Sequence, residues 1–453
     1  MRVLLAIWAA KIAAAGLRLL GRAGTHVPGL IARKVHPGII GAIRHPARVV
    51  AVTGTNGKTT VSNLLAEALE GEGLRVASNR NGSNLAAGVA ATLIGAVTWT
   101  GRPRVDIGVF EMDERSAKLV LPGLRPDVLV GMNLTRDSIK RNAHPAYIAW
   151  IISSALSERT TLVLNADDLI VSALGGDDAK RVFFAVDRLP GDGDQPSGAA
   201  VDVAICPVCD RRLDWDYWRF IHIGKAHCPN GDFRSPEALY RATAINGDRV
   251  SLSLDGEVRD AKLINASIVN VYNEIAVAAA LDTLEVPRDR IIAAFDRLQP
   301  PTTRFDEDRV GSVDVVRILT KGLVGVACSR AFDYLRSFAG RKAVVLNIDE
   351  VSERTSEVEN TAWTYDADYE YLADESIAQI VVGGVRRHDQ ALRLAIAGVD
   401  PARIVTVVDE IEAADVIGVD DADVVFNLHS VHNAVITGTP VQRRLLQRLG
   451  GRS

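Results

Sequence analysis

The chain has 453 residues, enough for about three domains at roughly 150 residues each. Apolar residues make up 47% and charged residues 24%, which excludes a disordered chain, a collagen-like chain and a disulfide-stapled scaffold. Lys plus Arg total 52 against 56 Asp plus Glu, a net charge of −4, so no nucleic-acid partner is expected.

Residues 3–20 form an apolar stretch broken by Lys11 and Arg18. It is too interrupted for a transmembrane span, and its uninterrupted part, 3–10, is too short for a signal peptide. It reads as an amphipathic helix that either packs on the protein or rests on a membrane surface. A strand is expected at 48–53, then a Gly-rich turn and a helix over 58–70. On that helix Val61, Leu64, Leu65, Ala68 and Leu69 recur at helical spacing, and Gly71 and Gly73 end it. Apolar runs at 105–110, 127–132 and 161–164, separated by helical patterns, predict a βαβ series and a largely parallel sheet. A polar Gly/Pro loop at 187–200 leads into a cysteine cluster. The pattern resumes after about residue 240, with an Ala-rich helix near 273–284. Residues 299–304 read as a linker, and strands at 344–347 and 380–383 with a helix near 390–397 predict a smaller α/β domain. The expected boundaries are 1–45 for a helical leader, 46–300 for a central domain with an insertion at 200–240, and 301–453 for the last domain.

The turn after the first strand is Gly54-Thr55-Asn56-Gly57-Lys58-Thr59-Thr60. Glycines permit tight turns there, so N–H groups can converge on phosphate oxygens at the helix N-terminus. Lys58 can reach the β- and γ-phosphates, and the Thr59 hydroxyl can ligate Mg²⁺. The two glycines enclose two residues rather than the four of a standard Walker A loop. Mg²⁺ prefers carboxylates, and the strand near 105–110 leads into Glu111-Met-Asp-Glu114. Two other strands lead into Asn133, Arg136 and Asp137 and into Asn165-Ala-Asp167-Asp168. Such polar strand ends are where open α/β sheets bind ligands. Cys206, Cys209 and Cys228 lie within one 23-residue window, which points to metal binding and a reducing compartment.

The loop at 53–60 resembles the GT(N/K)GKT(T/S) loop of the Mur ligase superfamily. Within it the chain resembles the MurT family, the ligase-like subunits of lipid II isoglutaminyl synthases. The loop starts about 50 residues in, leaving no room for an N-terminal uridine-nucleotide-binding domain. The opening segment ending LLGRAGTHVPG, the NLTRD at 133–137 and the CPVC…CPNG pair carry the rest of the likeness. The resemblance implies an α/β fold: a Mur-ligase-type phosphate-loop domain with a parallel-rich sheet, an inserted zinc-ribbon-like hairpin and a Rossmann-like C-terminal domain. It implies that ATP, with Mg²⁺, phosphorylates the α-carboxylate of D-glutamate in a lipid-linked peptidoglycan precursor. Ammonia from a class I glutamine amidotransferase partner, GatD-like, then gives D-isoglutamine. It also implies a cytoplasmic protein working at the inner membrane face. By motif match, residues 54–60 bind phosphate, Thr59 and Glu111 hold Mg²⁺, Asn273 contacts adenine, Arg304 contacts the nucleotide, and Lys321 reaches over the phosphates.

Three departures from the family pattern stand out. Gly231 occupies the place of the fourth thiolate, leaving His222, His227 or Asp232 as substitutes for a tetrahedral zinc site. Either zinc is held by Cys206, Cys209, Cys228 and a replacement, with His227 the assigned fourth ligand, or Trp215, Tyr217, Trp218 and Phe220 form an apolar cluster in a metal-free hairpin. After the domain junction Lys321 survives while a following Asn-Pro pair does not. Asn360 falls where the family has an Asp implied to complete the partner's catalytic triad, with Asp349, Glu357 and Glu359 as substitutes. These losses leave open a diverged ligase using another amine or carboxylate, and a nucleotide-binding subunit without catalysis.

Overall fold

The computed structural model describes the chain except residues 23, 81–82, 137–143, 199–200, 265–266, 298–304, 321–323, 337, 349–360, 431–433 and 451–453. The chain divides into two compact units. The larger comprises Met1–Thr135, His144–Ser197 and Val201–Pro301, and the smaller is built mainly from Thr302–Ser453.

The larger unit holds a nine-stranded sheet. Its strands are β1 (Arg48–Thr53), β2 (Val76–Ser78), β3 (Ile107–Glu111), β4 (Val128–Gly131), β5 (Thr161–Asn165) and β6 (Arg181–Val186), together with three from further along the chain. Those are β9 (Tyr240–Asn246), β10 (Arg249–Leu254) and β11 (Glu257–Lys262), reached after a separate hairpin of β7 (Asp214–Phe220) and β8 (Ile223–His227). The order across the sheet is β11-β10-β9-β6-β5-β4-β1-β3-β2. All neighbours from β2 to β9 run parallel, and only the β9-β10-β11 edge is antiparallel. Continuous apolar strands suit this, because a parallel sheet is covered on both faces. Val50 and Val52 pack with the helices Lys58–Gly71 and Ile268–Thr283 on one side. Val49 and Ala51 pack on the other side with the first helix, Arg2–Leu19, and with Ala86–Gly95 and Ala117–Leu124.

The consequence for function is the place of β1. It lies between β3 and β4, so the chain leaves the sheet in opposite directions on its two sides. A crevice therefore opens at the carboxyl end of β1, the usual ligand position in such sheets. The long helix starts at Ile268, five residues before its expected beginning.

The smaller unit has a six-stranded sheet of β12 (Phe305–Val310), β13 (Val313–Thr320), β14 (Lys342–Asn347), β15 (Ile377–Gly383), β16 (Ile404–Val407) and β17 (Val424–Ser430). Its order is β12-β13-β17-β14-β15-β16, parallel except for the β12-β13 hairpin. Among the described residues, no helix is long and apolar enough to cross a membrane.

Candidate active site

Gly54 and Gly57 take φ values of 135° and 88°, a region that side chains other than glycine rarely adopt. At Gly54 space also forbids a side chain: a Cβ would lie 2.9 Å from the backbone N and O of Asn133. The loop is clamped to the residues after β4. The Thr55 amide donates to the Asn133 carbonyl (2.7 Å), and Thr55 Oγ1 receives the Thr135 amide (3.0 Å). The Asn133 side chain accepts from the Asn56 amide at 2.9 Å and donates to the Asn56 carbonyl at 3.1 Å. The amides of Thr55 and Asn56 are therefore used inside the protein. Those left to meet an anion begin the helix Lys58–Gly71, which has no side-chain cap and whose first N–H groups lack intrahelical acceptors. Replacing Asn133 by Ala removes both side-chain clamps. We expect the KM for ATP to rise about tenfold, the equivalent of ~1.4 kcal/mol for loop order, with kcat changed less. An unchanged KM in steady-state assays would contradict the clamp.

Lys58 Nζ donates to the carbonyls of Gly54 and Thr55 and forms an ion pair of 2.7 Å with Glu114. Glu114 is buried, and burial pushes its carboxyl pKa upward against the opposing pull of the Lys58 charge. In the sequence this glutamate is one of an acidic run after β3, with no local feature that marks a role. Its position shows it to be the counter-ion that holds the loop lysine.

Glu111 closes β3 in register with Val52, beside the start of the loop. It is buried at 3% exposure. Asn84 donates to its Oε1 at 3.0 Å, and Asn79 bonds its backbone N–H and C=O. Oε2 has no hydrogen-bond partner among the described residues. A buried carboxylate with one oxygen steered and the other unmatched fits a hard divalent cation. Neither Asn79 nor Asn84 was anticipated, since nothing in their local sequence marks them.

Asn273, on the helix Ile268–Thr283, is buried beside Gly57. Its Nδ2 donates to Asn270 (3.2 Å), and its Oδ1 is unpartnered among the described residues. The next residue, Glu274, accepts from the Ile264 amide at 2.7 Å, and burial pushes its pKa up to about 8. The unfolded chain gives up this proton near pH 4.5, whereas the folded chain keeps it to about 8. Stability is therefore fully present below the lower value and is lost as pH rises through that window. We expect Glu274→Gln to remove this part of the loss, so that the urea midpoint of the variant exceeds that of the parent at pH 8 but not at pH 5. Equal midpoint differences at both pH values would refute it.

The third polar strand end has another purpose. Asp167 accepts from Tyr217 (2.7 Å), Tyr272 (2.6 Å) and the Val186 amide (3.0 Å). Asp168 accepts from the amides of Leu134, Ile170 and Val171 at 2.8–2.9 Å, and so pins the segment that clamps the loop. Burial alone would push His222 down, but Asp168 at 3.2 Å and Asp202 at 3.5 Å outweigh it and hold its pKa up to about 9. His222 is thereby removed from the candidate zinc ligands.

The hairpin insertion brings the sulfurs of Cys206, Cys209 and Cys228 within 4.8 Å of one another. His227 is not part of this group. Its Nδ1 faces Asp216 at 3.1 Å, so its assignment as fourth ligand is corrected. Asp232 is also outside the three-cysteine group, but its Oδ2 lies 3.9 Å from the Cys228 sulfur. The Val208 and Asn230 amides point at the Cys206 and Cys228 sulfurs, both at 3.4 Å. The four-residue aromatic cluster that is the alternative for a metal-free hairpin does not form. Trp215 and Trp218 pack with the cysteines, Tyr217 turns to Asp167, and Phe220 joins the main core.

Residues 54–60, Glu111 and Asn273 thus meet at one edge of the larger unit's sheet. Arg304, Lys321, Asp349 and Asn360 lie outside the described residues.

The chain is similar to known proteins in sequence and in fold. Residues 52–187 match the family model of the Mur ligase middle domain, and 325–428 match that of the MurT ligase C-terminal region. The fold is similar to a pseudomurein peptide ligase type C from Methanothermus fervidus, with a TM-score of 0.65 and 21% identity, covering 89% of this chain and 80% of that one. It is also similar to MurF from Acinetobacter baumannii, with a TM-score of 0.62 and 14% identity, covering 91% and 80%. Fold and loop together define a Mur-type ligase, an ATP-dependent carbon–nitrogen ligase. The chain is 30% identical over 408 residues to the MurT subunit of lipid II isoglutaminyl synthase (glutamine-hydrolyzing) of Staphylococcus aureus (strain COL), covering 89% of this chain and 90% of that one. It is 26% identical over 403 residues to the same subunit of Streptococcus pneumoniae, covering 87% of each. The chain belongs to the MurT family.

Proposed function

We propose that this protein activates the α-carboxylate of D-glutamate in lipid II, a lipid-linked peptidoglycan precursor, for amidation to D-isoglutamine. A carboxylate is a poor electrophile. One of its oxygens attacks the γ-phosphorus of ATP and ADP departs. The nitrogen of ammonia then attacks the acyl carbon of the acyl phosphate, phosphate leaves with the bonding pair, and the nitrogen gives up a proton. The observation that carries this reading is the clamped loop with Lys58 and the unmatched Glu111 oxygen at the same sheet edge.

The uncapped helix start receives phosphate oxygens, and Lys58 exchanges part of its pairing with Glu114 for the charge that develops on the transferred group. Glu111 and the Thr59 hydroxyl would hold Mg²⁺, which when bound screens that charge. Asn273, braced by Asn270, offers its side-chain amide to the adenine. By the family resemblance Arg304 and Lys321 are further nucleotide contacts, in a chain read as a leader at 1–45, a central domain at 46–300 and a C-terminal domain at 301–453. A glutaminase of the class I type, GatD-like, supplies the ammonia. Asn360, or one of Asp349, Glu357 and Glu359 in its place, completes the catalytic triad of that partner.

The three thiolates of the hairpin would hold a structural zinc ion, with Asp232, 3.9 Å from one of them, moving in as the fourth donor, a donor set suited to Zn²⁺. Elemental analysis should find about one equivalent of zinc per chain, lost in Asp232→Ala; below about a tenth of an equivalent in the parent, the site is not a zinc site.

The activity is tested by supplying ATP, a lipid-linked muropeptide and either glutamine or ammonium to the chain with and without a co-purified glutaminase. Amidation from glutamine only when the partner is present supports the reading. ATP cleavage with a different amine points to a diverged ligase, and nucleotide binding without turnover points to a non-catalytic subunit.

A further inference from the structure

The first helix, Arg2–Leu19, buries Ala6, Ile7 and Ala10 against the larger unit. At 100° per residue, Leu5, Trp8, Ile12 and Leu19 fall on the opposite side, where they are 46, 42, 65 and 89% exposed. A helix that merely covers a core has a polar outer face. This one is apolar outside as well as inside.

A second aromatic is fastened to it. The Trp8 indole N–H donates to the Trp99 carbonyl (2.8 Å), and Lys11 Nζ donates to the Val97 carbonyl (2.8 Å) and lies 5.8 Å from the centroid of the Trp99 ring. Trp99 is itself 54% exposed, in a loop that also exposes Arg102 and Arg104. Helical spacing puts Arg2 on one flank of the apolar stripe and Lys11 and Arg18 on the other. Seven Lys and Arg residues precede residue 46, and no Asp or Glu occurs before Glu67, although the whole chain carries a net charge of −4. This one-sided charge decides between occupants. Two copies of so cationic a face repel each other, whereas a surface of anionic headgroups attracts it.

We propose that this face docks on an anionic lipid bilayer. The apolar stripe and the Trp8–Trp99 pair enter the headgroup layer, and the flanking cations meet lipid phosphates. Tryptophan suits this position because its ring is apolar while its N–H remains polar.

The test is flotation of the full chain with phosphatidylcholine vesicles, with or without about a third phosphatidylglycerol. No vesicle contains a peptidoglycan precursor, so the result stands apart from the ligase reading: either can fail alone. We expect flotation only with the anionic vesicles, reversed by high salt. Ile12→Glu, and separately the Trp8→Ala/Trp99→Ala pair, should lower the partition coefficient by about tenfold or more while ATP hydrolysis stays at the parental rate. Brominated lipid should quench the fluorescence of the unaltered protein, a readout that needs no variant. Absence of flotation at low salt, flotation of Ile12→Glu equal to the parent, or a dimer that Ile12→Glu converts to monomer would each overturn the proposal. The last result would assign the face to a second copy.

Discussion

Lys58→Ala is expected to lower kcat by about a thousandfold, ~4 kcal/mol, the size of effect seen when one preorganised donor to a developing oxyanion is removed. The lysine spans the loop carbonyls and Glu114 in a site screened from water, so its charge acts at low effective dielectric. The fold should survive. Breaking a buried pair strands the remaining charge, but burial already pushes the Glu114 pKa up, so the stranded carboxyl takes a proton. A folded-state pKa above the unfolded value makes the stability contribution greatest at low pH. The destabilisation of Lys58→Ala should therefore shrink as pH falls and grow toward neutral pH. Adding Glu114→Gln should restore the melting temperature without restoring turnover. Retention of even a tenth of the parental kcat in a folded Lys58→Ala protein would sink the assignment.

Glu111→Gln should produce the second large loss. The glutamine oxygen can keep the bond from Asn84, and the Asn79 bonds to the backbone of residue 111 are untouched, so the local fold is preserved. What changes is the unmatched oxygen: an NH₂ group, a donor with no affinity for a cation, replaces it. We expect kcat/KM to fall about a hundredfold at fixed MgATP and the Mg²⁺ concentration for half-maximal rate to rise at least about tenfold. A Mg²⁺ titration coinciding with that of the parent protein would remove Glu111 from the metal site. The two variants separate by their magnesium response, which Lys58→Ala should leave nearly unaltered.

Much of the molecule is legible in the amino-acid sequence. Gly54 and Gly57 flank a turn between an apolar strand and an apolar-periodic helix, and backbone geometry allows few other residues there. The alternation of Val-rich strands and amphipathic helices is equally local and led to the parallel sheet of the larger unit. Less was visible of what the polar residues at the strand ends do. Three such groups read alike in the sequence, yet one presents a buried carboxylate oxygen with no partner among the described residues, one clamps the loop and one is consumed by internal hydrogen bonds.

The primary structure alone determined the nucleotide loop, the strand–helix rhythm and the family, because each depends on residues within a few positions of one another. The tertiary structure decided that Glu114 answers Lys58, that Asn133 holds the loop, and that Asp232 lies beside the Cys228 sulfur while His227 faces Asp216. Most of those partners lie up to 77 residues apart, and the placing of β1 between β3 and β4 brings the loop partners together. Even where the partners are close in sequence, as in the hairpin, strand pleat and turn geometry choose which side chain faces inward. No spacing rule along the chain encodes that choice.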